Sequence, residues 1–177
     1  MLLELTIKNI ALIESLCIEF ARGFNVLTGE TGAGKSIVVD SISLALGGRA
    51  DRDMIRTGAD KGMVQALFDI AGNDKAQAFL RELDIDCEEN VLSVRRELSR
   101  EGRNICRISD VVVPLNTLRQ LTAMLMDIHG QHEHQALMNP ARHLDFLDAF
   151  GGEGHLAARE SVAQLHAQRG RIALERK

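Results

Sequence analysis

Phe24-Asn25-Val26-Leu27-Thr28 runs directly into Gly29-Glu30-Thr31-Gly32-Ala33-Gly34-Lys35-Ser36, and this junction decides the fold. The first stretch has the length and residue types of a short buried strand. The second fits the phosphate-loop pattern of Gly, four residues, then Gly-Lys-Ser. Ser36 to Leu46 then reads as a helix, because Val38, Ile42 and Ala45 recur at helical spacing and Gly47-Gly48 supplies a stop. A chance string would lack this strand and helix on either side. Glycines let such a loop wrap closely and turn successive backbone N–H groups inward, while the helix N-terminus adds partial positive charge where phosphates sit. In that frame Lys35 reaches the β and γ phosphates and the Ser36 hydroxyl ligates Mg²⁺.

Upstream, Leu3, Leu5 and Ile7 alternate with polar neighbours, as do Leu16, Ile18 and Phe20, so the chain opens with two strands of period two, and Ala21-Arg22-Gly23 turns it. Downstream, residues 49 to 62 form a polar, glycine-punctuated loop in which Arg49, Arg52, Arg56 and Lys61 concentrate the positive charge. An alternating strand follows through Val64, Ala66, Phe68 and Ile70. Asn73 suits the cap of a helix carrying Ala76, Phe79, Leu80 and Leu83. Val91 to Leu98 and Asn104 to Ile108 read as a hairpin around Arg100-Glu101-Gly102. Pro114 fits the first turn of a helix with Leu115, Leu118 and Leu121 on one face, leading into a strand-like run, Met124-Leu125-Met126. Asn139-Pro140 opens another helix, with Leu144 and Leu147 on one face, closed by Gly151-Gly152. In the tail, Ala158, Val162, Leu165, Arg169 and Ile172 fall at four-three spacing. That spacing fits either a heptad seam or an ordinary amphipathic surface helix, since the stretch is shorter than the three or four heptads that define a coiled coil.

Bulk composition narrows the function classes. With 177 residues, 45% of them hydrophobic, the chain can bury one good core. A formal charge of −4 argues against a broadly basic nucleic-acid-coating domain, because counterion release needs many clustered cations, so any DNA contact must be local. Aromatics are 3%, with no Trp or Tyr, which removes base-stacking platforms for single strands. The opening Met1-Leu2-Leu3-Glu4-Leu5 lacks the basic start of a signal peptide, and no apolar run approaches the roughly 18 residues of a membrane span. A soluble, non-exported chain is expected. Cys17, Cys87 and Cys106 are odd in number and lack metal-ligand spacing, which fits buried thiols in a reducing cytoplasm.

Hydrolysis of a bound nucleotide needs an acid to hold the metal, a group to position water, and stabilisation of charge on the γ phosphate. Ala123-Met124-Leu125-Met126-Asp127 has the outline of an apolar strand ending in a metal-holding Asp, but no Glu follows it; Asp127 equally reads as a plain strand terminus. The next polar candidate is Gln131. His129, His132 and His134 cluster as metal ligands can, yet neither a Cys nor a convincing carboxylate set completes a site.

At this point a resemblance becomes specific. The phosphate loop followed by Leu46-Gly47-Gly48-Arg49-Ala50, the opening Leu5-Thr6-Ile7-Lys8-Asn9, and Asp127-Ile128-His129-Gly130-Gln131-His132-Glu133-His134-Gln135 together resemble the RecN family of SMC-like DNA repair ATPases. The resemblance spans essentially the whole chain. It implies that Gln131 is the Q-loop glutamine of an ABC-type head, contacting Mg²⁺ and the attacking water, a task that suits an amide able to donate and accept. It implies that Arg56, in Met54-Ile55-Arg56-Thr57-Gly58, is the R-loop arginine near nucleotide that reports DNA binding, and that Lys8 and Asn9 are strand-end residues near the adenosine. It gives the histidines no metal role. Ser-Gly-Gly and Asp-Glu, which such heads carry, occur nowhere in this sequence. In the resembled proteins both lie after a long coiled coil, so the tail is expected to be its outgoing arm.

The expectation is therefore an α/β ABC/SMC-type head lobe, with a mixed sheet around the phosphate-loop helix, an antiparallel β portion and the start of a coiled coil. Residues 1–153 would form part of the head and residues 154–177 the outgoing helix. The resemblance implies ATP and Mg²⁺ as cofactors, catalytic roles for Lys35 and Gln131, and a cradle of Gly29, Glu30, Thr31, Gly32, Ala33, Gly34, Lys35 and Ser36. Its implied partners are DNA double-strand ends, the C-terminal half of the same head and a second head in a homodimer, with no membrane, in the bacterial cytoplasm or nucleoid. Two rivals stand beside it. One is a stand-alone P-loop kinase using Asp127 for Mg²⁺; the other is a nucleotide-gated interaction module without turnover.

Overall fold

The computed structural model describes residues 1–29, 34–126, 128, 143–144, 147–148, 150–151 and 153–175. The chain divides into two compact units, Met1–Asp127 and Ile128–Lys177. In the first unit the strands are β1 (Leu2–Ile10), β2 (Ile13–Glu19), β3 (Lys61–Asp69), β4 (Val91–Ser99), β5 (Asn104–Ile108) and β6 (Val111–Val113), and the helices are α1 (Lys35–Ala45), α2 (Asp74–Glu82) and α3 (Leu115–Thr122). The second unit contains α4 (Glu153–Glu175).

The strands form one six-stranded sheet in the order β2-β1-β3-β4-β5-β6, antiparallel at every pairing. Period two sets its faces. Leu5 and Ile7 on β1, Val64, Ala66 and Phe68 on β3, and Leu92, Val94 and Leu98 on β4 are buried, and α1, α2 and α3 add Val38, Leu44, Ala45, Leu80, Leu118 and Leu121 to the same core. Each of the Val, Leu, Ile and Phe side chains among them contributes about 1.5–3 kcal/mol of burial. The opposite face is half-exposed and polar: the cross-strand register aligns Thr6, Gln65, Arg95 and Arg107 in one row.

The hairpin expected around Arg100-Glu101-Gly102 joins β4 to β5, with Gly102 at φ 89 and its N–H bonded to the Ser99 carbonyl at 2.9 Å. Asn73 caps α2 by accepting from the Ala76 N–H at 3.1 Å, as its position before the apolar helix face suggested. Within the first turn region, Asn25 donates to the Ala21 carbonyl at 2.9 Å, closing the turn read at Ala21-Arg22-Gly23.

Several expectations are corrected. Phe24 to Thr28 is not a strand: it runs irregular and exposed, with Phe24 at 93% exposure and Val26 at 61%. A strand of that composition is stable only when flanked on both sides, and no described strand flanks it. The mixed sheet is accordingly absent among the described residues, where every pairing is antiparallel. Met124-Leu125-Met126 is not a strand either. These residues continue off α3 as turns, the Met124, Leu125 and Met126 N–H groups bonding back to the carbonyls of Leu121 and Thr122. On β1 a bulge between Leu2 and Glu4 puts Leu2, not Leu3, on the buried face. Of the three cysteines only Cys106 is buried; Cys17 lies on an exposed strand position and Cys87 is intermediate.

In the second unit, α4 exposes Val162, Leu165 and Ile172. Asp148 steadies the region before it, accepting from Arg159 Nη1 at 2.8 Å. The helix read from Asn139-Pro140 begins outside the described residues. No helix among the described residues is long and apolar enough to cross a membrane.

Candidate functional site

The site starts at the N-terminus of α1. Gly34 takes the cap position at φ 95, a left-handed conformation in which a side chain would be strained, and its carbonyl accepts the first helical bond from Val38 N–H at 3.0 Å. No side chain caps this end and no acid stands in its first turn. The helix dipole places partial positive charge at this end, with no acidic side chain in the first turn to offset it. Lys35 and Ser36 occupy that first turn, half-buried and exposed respectively. Helix-end N–H groups, an ammonium and a hydroxyl at one helix end form a set suited to a polyphosphate and its metal. Gly29 precedes them in irregular chain, while Glu30, Thr31, Gly32 and Ala33 lie outside the described residues, as do Asp127, His129, Gln131, His132 and His134.

The other end of α1 is held from three directions. Gly47, at φ 95, and Gly48 close the helix, their N–H groups bonding to the carbonyls of Leu44 at 3.1 Å and Ser43 at 2.8 Å. These are the paired bonds of a Schellman stop. Arg96, on β4, donates from Nη1 to the carbonyls of Leu44 at 3.0 Å and Gly48 at 2.6 Å, and from Nε to Asn104 Oδ1 at 2.9 Å. From α3, Arg119 Nε donates to the Gly47 carbonyl at 2.7 Å and Thr122 Oγ1 to the Leu46 carbonyl at 2.8 Å. Cations suit this end of a helix, by up to about 2 kcal/mol where partly buried. Burial lowers the pKa of Arg96, Cys106 opposes that and Arg119 adds to it, but a guanidinium keeps its charge throughout. The same burial raises the pKa of the neighbouring Cys106 thiol.

A second cluster gathers at the end of β1. Asn9 sits at φ 52 and Ala11 at φ 47, and the Asn9 carbonyl accepts the Arg56 N–H at 3.0 Å. Ile10 bridges to Ile55, and Ala11 N–H bonds to the Met54 carbonyl at 2.7 Å. Lys8 is exposed on the same strand end. The fold thus brings Arg56 to Asn9, the neighbour of Lys8, although Arg56 lies far from both in sequence. Among the described residues, the Arg56 guanidinium meets the β1–β2 turn, bonding to the Leu12 carbonyl at 2.8 Å and facing Glu14 at 3.7 Å. Arg100 fixes the loop from the far side, donating to the carbonyls of Ala59 at 2.7 Å and Arg56 at 3.2 Å.

Arg96, and any role for Arg100 beyond its hairpin turn, are not among the site residues expected from the sequence. A signal for Arg96 was present: Leu92, Val94 and Leu98 share its parity on β4, so period two places a cation on the buried face.

Residues 4–146 match the family described as AAA domain. The chain is 42% identical over 176 residues to the DNA repair protein RecN of Halalkalibacterium halodurans, covering 99% of this chain and 31% of that protein. It spans about a third of the length of that relative. Its fold is similar to the Smc head domain of Pyrococcus furiosus with an extended coiled coil, bound to the C-terminal domain of ScpA, at a TM-score of 0.68 and 20% identity, covering 99% of this chain and 48% of that one. It is also similar to a structure from work on ATP-driven dimerization and DNA-stimulated activation of SMC ATPases, at a TM-score of 0.61 and 20% identity, covering 83% and 97%. These likenesses carry the α/β head-lobe fold. The chain therefore belongs to the AAA-domain family, and the resemblance to RecN repair proteins read from its motifs holds along nearly its whole length.

Proposed function

We propose that this chain is the ATP-binding portion of an SMC-like ATPase head that acts in recombinational repair of DNA double-strand breaks. One observation carries the reading: α1 begins at a left-handed Gly34 with no side-chain cap, and places Lys35 and Ser36 in its first turn. Lys35 offers its ammonium to the β and γ phosphates, the leading N–H groups donate to phosphate oxygens, and Ser36 offers a hydroxyl ligand. The Ser36 hydroxyl would help hold Mg²⁺, which would supply charge neutralisation at the phosphates. Gln131 orients water, and Arg56 couples DNA to turnover from a loop tied to the end of β1 where Lys8 and Asn9 meet the adenosine. These assignments rest on the family.

The remaining parts of the reading concern partners. The general-base carboxylate and the donors that cap the γ phosphate are expected from Asp-Glu and Ser-Gly-Gly segments, neither of which this sequence contains. The first folds into the same head from a C-terminal segment, and the second arrives from another head. Exposed Phe24, Val26 and Leu27 support the first part, because an apolar stretch running into a phosphate loop suits a strand awaiting neighbours. Exposed Val162, Leu165 and Ile172 on α4 support residues 154–177 as the outgoing arm, an apolar seam suited to a second helix. The whole protein would work in the bacterial cytoplasm, on the nucleoid.

The test is phosphate release from residues 1–177 alone, then with the C-terminal segment added, over a range of protein concentrations. The reading expects near-background release from the chain alone and concentration-dependent release once the segment is present. A substantial, concentration-independent rate from the chain alone contradicts it.

A further inference from the structure

We infer that Arg96 is a positioning residue for nucleotide binding: by holding the C-terminal end of α1 it sets where Gly34, Lys35 and Ser36 stand at the other end. The inference rests on the phosphate-binding reading of that N-terminus and goes beyond it by assigning a remote residue to the site.

Arg96 is 1% exposed, the largest fully buried side chain among the described residues. It stands in a row of apolar neighbours, where a fixed cation is unfavourable unless its donors are satisfied. None of the ion pairs among the described residues involves it. Its partners are instead the carbonyls of Leu44 and Gly48 and the Asn104 side chain. Those carbonyls belong to the exit of α1, the negative end of its dipole. Arg119 and Thr122 take the intervening carbonyls of Gly47 and Leu46. One face of the sheet and one helix thus grip a single turn of chain.

The opposite end of α1 is packed into the core through Val38, and none of the hydrogen bonds described at that end comes from a side chain on the sheet or on α3. It lacks a side-chain cap, and a Cβ built at Gly34 would meet nothing within 4 Å. α1 has 11 residues, a rod of about 16 Å whose hydrogen-bonded backbone transmits tilt from end to end. The place of its phosphate-facing end is therefore set in part by the clamped end. A misplacement of about 1 Å in such a site is worth on the order of a hundredfold in function.

Lysine retains the charge of Arg96 but lacks the planar fork that reaches the helix exit and Asn104 together. Methionine retains much of the stem without donors. ATP affinity by titration calorimetry and the thermal midpoint without nucleotide would be measured for the full chain and for Lys35→Ala, Arg96→Lys, Arg96→Met and Leu80→Ala. Leu80 is buried on α2 and is not among the side chains that bond to the helix exit, so it serves as a control for loss of stability alone. Both Arg96 variants are expected to bind ATP about tenfold or more weakly at temperatures where they are folded, since displacing the phosphate cradle acts on positioning. Leu80→Ala should lower the midpoint and keep wild-type affinity.

Wild-type affinity in either folded Arg96 variant overturns the inference, as does an equal loss in Leu80→Ala. If the Arg96 variants do not fold, Arg119→Ala and Thr122→Val loosen the same turn without burying an unpaired charge. Severalfold weaker binding in both supports the clamp, and wild-type affinity in both refutes it. Failure of the underlying site reading looks different: wild type and Lys35→Ala would then be indistinguishable, and the inference falls with it.

Discussion

Replacing Gly62 by alanine tests how tightly the Arg56 loop is built onto the end of β1. Gly62 is buried on β3, and a Cβ there would stand 2.7 Å from Ile10 Cδ1 and 2.8 Å from the Asn9 carbonyl oxygen. The Ile10 methyl can rotate away, but the carbonyl is backbone. A carbon–oxygen contact relaxes only near about 3.3 Å, so the Asn9 peptide must move by roughly half an ångström. Overpacking of this kind costs about 1–3 kcal/mol, offset by about 0.4–1 kcal/mol because alanine restricts the unfolded chain. The middle of these ranges leaves a net cost of about 1.3 kcal/mol, and at about 3 °C per kcal/mol for a chain of this size the thermal midpoint should fall by roughly 4 °C. The Asn9 carbonyl also accepts the Arg56 N–H, so the amide of Arg56 should exchange with solvent faster in Gly62→Ala than in wild type. Circular dichroism melts and hydrogen exchange read the two effects separately. A midpoint within about 1 °C of wild type, with unchanged exchange at Arg56, refutes the reasoning.

In the full-length protein, Gln131→Ala should depress basal turnover more than ATP binding, while Arg56→Ala should mainly blunt stimulation by DNA. Arg100→Ala, which releases the carbonyls of Arg56 and Ala59, should imitate Arg56→Ala in a milder form; wild-type basal and stimulated rates in all three remove these roles. For the thiols, Cys17 is exposed and Cys106 buried with a pKa raised by burial, so maleimide at mildly alkaline pH should label Cys17 first and Cys106 only on unfolding. The raised Cys106 pKa also stabilises the fold below the thiol's unfolded pKa and loses that stabilisation as pH climbs through the folded value, so stability should decline on the alkaline side. Equal labelling rates in the native state contradict the burial.

Local patterns carried most of the fold. The Asn73 cap, the Arg100-Glu101-Gly102 hairpin and the Gly47-Gly48 stop are each set by residues within a few positions of one another, and each stands where its sequence put it. What failed depends on distant partners. Phe24 to Thr28 has the composition of a buried strand, yet composition does not say which chain would flank it. Met124 to Met126 is apolar because it follows the buried face of α3, so turn and strand were indistinguishable from residue types alone. The bulge at the start of β1 moved burial by one residue, a shift that alternation cannot foresee.

The candidate site divides the same way. Gly34, Lys35 and Ser36 were legible because the phosphate-loop pattern is contiguous and flanked by a helix of the right period. The clamp on α1 was not, because its donors, Arg96, Arg119 and Thr122, approach from β4 and α3 across 48 to 76 positions of sequence. A charge at an apolar parity position on β4 was the available sign. It marks a buried cation, but only the fold identifies the carbonyls that receive it.

The central claim is that the N-terminus of α1 binds nucleotide phosphates through Lys35, and titration calorimetry of ATP into the wild-type chain and Lys35→Ala addresses it most directly. Lys35 is half-buried at a helix end and contributes nothing to the buried core, so the variant should keep the wild-type melting profile and far-ultraviolet spectrum. Its ATP affinity should fall by at least tenfold, about 1.4 kcal/mol, through loss of the cation facing the phosphates. A folded Lys35→Ala that binds ATP as tightly as wild type would contradict the account.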